Sequence, residues 1–308
     1  MTRALLLGSL IAVGGLSLAV SGQAPGPSAK SIDAMKIQKV KDNLYVIGGS
    51  GAADTSSFSG GNVAVFVTDA GVTIVDAKLP GFGPTIVERV KSVTNKPITR
   101  IINTHTHNDH TGSNEFFGAS IENIAQENTK ANMAKMEEFS GAKAQFLPKK
   151  TYKDTLKVGS GKDEIDLYYF GRAHTSGDTF VVFPALRTMH VGDVFAWKAL
   201  PYVDAGNGGS VLEGGKTIGK ALATVKNVDT IINGHIPTSN WNDLKEYGQF
   251  LSEFAAYAES AAKAGKTSAQ AADGWKLDPK YKGYVVSVNP QFGGARTNMD
   301  IAYKELGK

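Results

Sequence analysis

From Ile37 onward, short apolar runs rich in β-branched residues alternate with polar and glycine-rich stretches. Leu44-Tyr45-Val46-Ile47 and Val63-Ala64-Val65-Phe66-Val67 read as strands. A turn at Asp69-Ala70-Gly71 leads into a third strand, Val72-Thr73-Ile74-Val75. Residues 48–62, between the first two strands, are rich in Gly and Ser. Such a loop packs no core, and in an enzyme it can serve as a mobile flap.

Ile86, Val90 and Val93 fall at helical spacing before Lys96-Pro97, and a strand over residues 98–102 follows. Residues 123–139 are polar and predict a surface helix with Met133 and Met136 on its face. Further strands are predicted over residues 167–170, 180–183, 189–191 and 230–232. Ile218, Leu222 and Val225 mark one helix, and residues 244–264 form a longer one with a Phe, Leu and Tyr face. The remainder, to Lys308, reads as helical fragments and loop. The strands come in antiparallel-looking clusters, each closed by helices, without an internal repeat. That order fits an α/β (α+β) sandwich of four layers, helix–sheet–sheet–helix, in one domain over residues 37–308 with a helical C-terminal extension.

The N-terminus departs from this pattern. Arg3 precedes an apolar, uncharged run over residues 4–20, and Ser21-Gly22-Gln23-Ala24-Pro25-Gly26-Pro27 follows. A basic start, an apolar middle and a small-residue exit predict a secretory signal over residues 1–21, cleaved after Ser21. Residues 22–36 then form a flexible leader. An uncleaved anchor is the competing reading, because the run is of marginal spanning length. Cleavage places the protein in the periplasm or outside the cell, with no stable membrane insertion.

Bulk composition narrows the chemistry. The 308 residues are 42% hydrophobic and 20% charged, the balance of a globular protein able to build its own core. There are no cysteines, so disulfides and thiolate ligands are excluded and any metal must sit on nitrogen and oxygen. A formal charge of +4, evenly scattered, argues against nucleic acid as a partner and leaves a small molecule as the expected substrate. Oligomeric state is not legible.

Six histidines carry the functional signal: His105, His107, His110, His174, His190 and His235. Three of them fall within Thr104-His105-Thr106-His107-Asn108-Asp109-His110. His105 and His107, two apart, point the same way on extended backbone, while Asp109 and His110 face elsewhere as the chain turns into a helix. One short loop can therefore serve two neighbouring cations. Imidazole and carboxylate suit Zn²⁺ first, with iron or manganese behind it.

His-x-His-x-Asp-His over residues 105–110 resembles the signature of the metallo-β-lactamase superfamily. Gly171-Arg172-Ala173-His174-Thr175-Ser176-Gly177-Asp178 resembles its third motif, His190-Val191-Gly192-Asp193 its Gly-Asp motif, and Asn233-Gly234-His235 its Gly-His motif. Asp76 matches its early aspartate, and the resemblance runs from about Leu44 to about Phe250. It implies that fold and two zinc ions per chain. One is held by His105, His107 and His174, the other by Asp109, His110 and His235, with Asp193 and a hydroxide bridging. Ile236 stands where a glycine often follows the last histidine.

The implied activity is zinc-dependent hydrolysis of an ester, lactone, amide or related bond, with Asp109 and Asp193 as catalytic residues. Dedicated β-lactamases of the superfamily commonly carry Cys or Ser at the bridging position, so Asp193 points to the broader hydrolases. The alternatives are an antibiotic hydrolase of β-lactamase type, a mononuclear iron sulfur dioxygenase and a non-catalytic metal-binding module. His190 has no ligand slot left and is expected behind the ligands, as is Asp76. Asp178 is expected to cap the turn after His174. Trp197, Lys198 and Tyr202 are candidate substrate contacts.

Overall fold

The structure, a computed structural model, describes residues 26–51, 53–290 and 293–308. The signal expected over residues 1–21 lies outside the described residues. Seven strands form the first sheet, neighbouring one another in chain order: β1 (Ile37–Lys41), β2 (Leu44–Ile47), β3 (Val63–Thr68), β4 (Gly71–Val75), β5 (Ile98–Ile102), β6 (Glu122–Gln126) and β7 (Lys150–Tyr152). Six form the second: β8 (Thr155–Val158), β9 (Ile165–Tyr168), β10 (Phe180–Phe183), β11 (Thr188–His190), β12 (Thr230–Ile232) and β13 (Ser239–Asn240), ordered β13-β12-β11-β10-β9-β8.

The sheets are mixed rather than antiparallel. Strands β4 to β7 pair in parallel, and so do β11 and β12. A parallel pair needs a crossover, and the helix predicted around Ile86 and Val90 supplies the one between β4 and β5. Around the first sheet lie α1 (Ala29–Ala34), α2 (Gly83–Lys91), α3 (Asn108–Thr111), α4 (Asn114–Phe117) and α5 (Glu127–Met133). Around the second lie α6 (Val211–Thr224), α7 (Trp241–Lys263), α8 (Ser268–Gly274) and α9 (Ala295–Glu305).

Period-two alternation sorts the core. In β3, Ala64 and Phe66 face the second sheet, while Val63 and Val65 pack toward Ile86 and Val90 of α2. In β10, Val181 and Phe183 join the inter-sheet core, and Phe180 and Val182 meet Ile218 of α6 and Tyr247 and Phe250 of α7. Both faces of each sheet are thus apolar, which produces the four-layer sandwich. Full burial of each such side chain contributes roughly 1.5–3 kcal/mol.

Four expectations change. Residues 123–139 are not one helix. The run enters the first sheet as β6, turns into α5 and ends in a short 3₁₀ turn, Glu137–Phe139. Parallel pairing with β5 and burial of Ile124 and Ala125 override the polar composition. The leader is not featureless to residue 36, because Ser28 caps α1 and Met35 is buried beneath the first sheet. Residues 57–62, six of the fifteen in the expected flap, are largely buried and tied down: Asn62 N–H donates to the Gly234 carbonyl at 2.7 Å.

Lys198 is the fourth. Its ammonium is 2.7 Å from Asp243, which closes the capping box at the start of α7. The pair is partly exposed, so Lys198→Met is expected to cost about 0.5–1 kcal/mol in a denaturant titration. Turnover in the same variant should stay within about twofold, since the lost contact is a partly exposed pair away from the cavity.

Candidate metal centre

The functional side chains hang from strand ends on one rim of the sandwich. Asp76 follows β4, residues 105–110 follow β5, Asp193 follows β11 and His235 follows β12, while His174 precedes β10. Parallel pairing of β4 with β5 and of β11 with β12 brings those C-terminal ends side by side.

Seven predicted residues meet there. His105, His107 and His174 present ring nitrogens within 4.8 Å of one another, and so do the donor atoms of Asp109, His110 and His235. His105, His110 and Asp193 form a third such group. The Asp193 carboxylate lies between the first two clusters, 3.8 Å from Nε2 of His174, 3.2 Å from that of His110 and 3.1 Å from that of His235. Asp109 lies 3.3 Å from His235 and 3.5 Å from His110.

The outward nitrogens decide which way the lone pairs point. His174 Nδ1–H donates to the Tyr202 carbonyl at 2.7 Å, and His107 Nε2–H donates to Asp204 at 2.7 Å. A neutral imidazole donating on one nitrogen carries a lone pair on the other. The inward nitrogens of His107 and His174 therefore face each other at 2.9 Å with lone pair against lone pair. His110 Nδ1–H donates to Asp76 at 2.7 Å and turns Nε2 toward His235 Nε2 at 3.3 Å. Thr104 donates its hydroxyl to Asp76, so His105 Nδ1–H donates to Thr104 and its Nε2 also faces inward.

Two inward atoms, His105 Nε2 and Asp193 Oδ1, are buried without a well-aligned hydrogen-bond partner, although His110 Nε2 lies 3.2 Å from the latter. Buried polar atoms are rarely left this way unless something absent from the protein chain satisfies them. Converging lone pairs, carboxylates and orphaned acceptors together fit divalent cations.

Electrostatics of the side chains alone agree. Burial lowers the His174 pKa to about 4 and holds His105 well below the ordinary imidazole range. Burial also opposes charge on His110, but Asp109, Asp193 and Asp76 outweigh it and raise that group. Burial would lift Asp193, yet the neighbouring His235 and His110 hold it well below the carboxylate range. Both effects are those of a site built for positive charge.

Close backbone approach explains two glycines. A Cβ at Gly61 would overlap the His110 imidazole, and one at Gly234 would overlap the Asp193 carboxylate. Asp76 and Lys78 take left-handed backbone (φ 68° and 57°), uncommon for non-glycine residues and characteristic of constrained functional sites. Three hydrogen bonds of 2.7 Å on Asp76, from Thr104 N–H, Thr104 Oγ1 and His110, hold that turn.

His190 takes no part in the donor clusters. Its Nδ1 accepts from Gly192 N–H at 3.0 Å and Nε2–H donates to the Asn62 carbonyl, bracing the turn that carries Asp193. Asp178 accepts from Thr175 N–H and Oγ1, closing the turn after His174 as expected. A cavity of about 510 Å³ opens over the cluster. Trp197 and Tyr202 line it, and Lys198 does not.

Several residues in this region are not marked by the sequence pattern. Asp204 orients His107, and Phe58 and Met136 line the cavity. Met136 is therefore more than an ordinary helix face. Lys78 is fully buried, its ammonium donating to the carbonyls of Gly61 (2.8 Å) and Gly60 (3.3 Å). Burial lowers its pKa to about 7, opposed by Asp109 and Asp76. For Lys78 the only advance signal was a lysine next to the Asp76 turn. Asp204→Asn is expected to weaken metal binding about 10–100-fold, measured by competition with a chromophoric chelator. An unchanged affinity would mean that Asp204 does not orient His107.

An αββα sandwich with such a histidine–aspartate cluster at its strand ends defines a class, the metal-dependent hydrolases. The family profile described as the metallo-beta-lactamase superfamily matches residues 57–235, more than half of the chain, and the chain belongs to that family. The metallo-beta-lactamase type 2 of Elizabethkingia meningoseptica is 27% identical over 217 residues, covering 68% of this chain and 80% of that protein. Metallo-beta-lactamase IND-1 of Chryseobacterium indologenes is 25% identical, covering 68% of this chain and 86% of its own. Among solved structures, the DIM-1 metallo-beta-lactamase superposes with a TM-score of 0.60 at 20% identity, over 71% of this chain and 97% of that one. A metallo-beta-lactamase from Pontibacter korlensis gives 0.60 at 16% identity, over 70% and 98%. These structures share the fold. Among the described residues, no helix is long and apolar enough to cross a membrane.

Proposed function

We propose that the protein is a dinuclear zinc hydrolase acting on an ester, lactone, amide or related bond. The observation that carries the reading is the inward convergence of imidazole lone pairs around two buried atoms that lack well-aligned partners. His105, His107 and His174 would hold one zinc, and Asp109, His110 and His235 the other, with Asp193 shared. Zinc fits because every donor is imidazole nitrogen or carboxylate oxygen. The chemistry such a pair supplies is Lewis acidity, which acidifies water to a pKa of about 7 and polarises a carbonyl.

The chain's own groups do the rest. Asp109, partly open to the cavity, would accept a proton from water and pass it to the leaving group. Asp76, Asp204 and the Tyr202 carbonyl hold three imidazoles in the tautomers that leave their inward nitrogens free. Phe58, Trp197 and Tyr202 wall the cavity and limit water around the scissile bond.

Metal analysis of the purified protein, with turnover of nitrocefin, a lactone and a phosphodiester, tests this. About two zinc per chain with hydrolysis supports it. About one iron per chain would favour the sulfur dioxygenase reading, and metal without turnover a binding module. The relatives' names favour β-lactam hydrolysis as the second reading. Export belongs to the same proposal: N-terminal sequencing of mature protein should begin at Gly22.

A further inference from the structure

We propose that this site selects an uncharged substrate carrying an apolar group, and discriminates against acyl compounds that bear a carboxylate; the inference rests on the zinc-hydrolase reading. Phe58, Leu79, Met136, Trp197 and Tyr202 give the cavity an apolar wall, and its charged lining is Asp109, Asp193 and Asp204. Among the described residues, no lysine or arginine lines it. Sequence closes the gap further, because Arg3 is the one Lys or Arg outside the described residues.

Lys135, beside Met136 in the chain, is held by the Asn132 side chain at 3.1 Å, and Lys198 and Lys78 are engaged elsewhere too. Lys198 pairs with Asp243 at 2.7 Å, and Lys78 is buried behind the cavity against the Gly60 and Gly61 carbonyls. Two divalent cations would meet four carboxylates, Asp76, Asp109, Asp193 and Asp204, all within hydrogen-bond reach of the histidines or among them. Those charges cancel. A carboxylate entering this cavity gives up its hydration and finds no side-chain cation to replace it. An alkyl or aryl group finds five apolar side chains. Specificity here lies as much in the unfavourable term as in the favourable one.

The test uses two matched pairs on the full-length mature protein. The first is mono-p-nitrophenyl glutarate against its methyl ester, hydrolysed by zinc-loaded enzyme. The neutral diester is expected to have a kcat/KM about 10-fold or more above the anion. The second pair needs no turnover: 4-phenylbutyramide against 4-phenylbutyrate, titrated calorimetrically into the protein as purified, with the amide expected to bind more tightly. Placing a cation on the wall by Met136→Lys should shift the first ratio toward the anion by about 3–10-fold. Equal or better handling of the anion in either pair overturns the inference, as does an unmoved ratio in Met136→Lys that still binds zinc. If zinc fails to bind and neither ester turns over, the hydrolase reading falls while the calorimetric pair still decides the charge preference.

Discussion

His107→Ala is expected to cut turnover and zinc affinity by more than about 100-fold while leaving the fold intact, since a lost ligand costs more than a lost partner of that ligand. His107 is partly exposed at the cavity, and its ring meets Asp204 on one side and His174 on the other. Truncation leaves a gap that solvent can fill rather than a hole in the core, so the circular dichroism spectrum and urea midpoint of the chelated protein should barely move. Zinc stoichiometry should fall toward one per chain, because the cluster of Asp109, His110 and His235 is untouched. Retained activity with two zinc bound would show that His107 is not a ligand. A collapsed spectrum would show that it is chiefly structural.

Removing metal from the unaltered protein is expected to lower its melting temperature by on the order of 10 °C. Free zinc at a thousand times its dissociation constant stabilises a native site by about 4 kcal/mol, and a chain of this size shifts by roughly 2–4 °C per kcal/mol. The sign follows from the geometry. Without a cation, lone pairs of His107 and His174 face each other at 2.9 Å, and His105 Nε2 and Asp193 Oδ1 stay buried without well-aligned partners. Those costs belong to the folded state alone, because the unfolded chain hydrates every one of these atoms. Differential scanning calorimetry with and without chelator reads the effect, and added zinc should restore it where magnesium does not. A shift under about 2 °C, one kcal/mol or less, would mean that the cluster does not bind metal in the native state.

Much of the site was legible because its chemistry is written in contiguous residues. Six of the seven donors fall in three short motifs around residues 105–110, 174 and 190–193, and each motif follows or precedes an apolar run that predicts a strand. Strand ends share a rim, so convergence was an inference from pattern plus geometry. The misreadings have a common cause. Residues 123–126 look polar, yet pairing with β5 places Ile124 and Ala125 in the core. Lys198 follows Asp193 closely enough to suggest the cavity, but the start of α7 supplies Asp243 and turns it away. The local pattern puts Met136 on a helix face, yet it lies at the cavity. In each case a partner remote in sequence outweighs the local pattern.

By itself, the sequence determined the kind of donor available, the absence of thiolates, the layered α/β architecture and the clustering of imidazoles after one strand. Those properties belong to single side chains or near neighbours, and periodicity exposes them. Only the tertiary structure decided which nitrogen of each imidazole faces inward, which carboxylate orients His107 and which lysines are kept from the cavity. Such choices depend on hydrogen bonds between residues 97 positions apart, as for His107 and Asp204, or on contacts 125 apart, as for His110 and His235. Folding must close those loops before either contact exists, and nothing in the local order of residues encodes the partner.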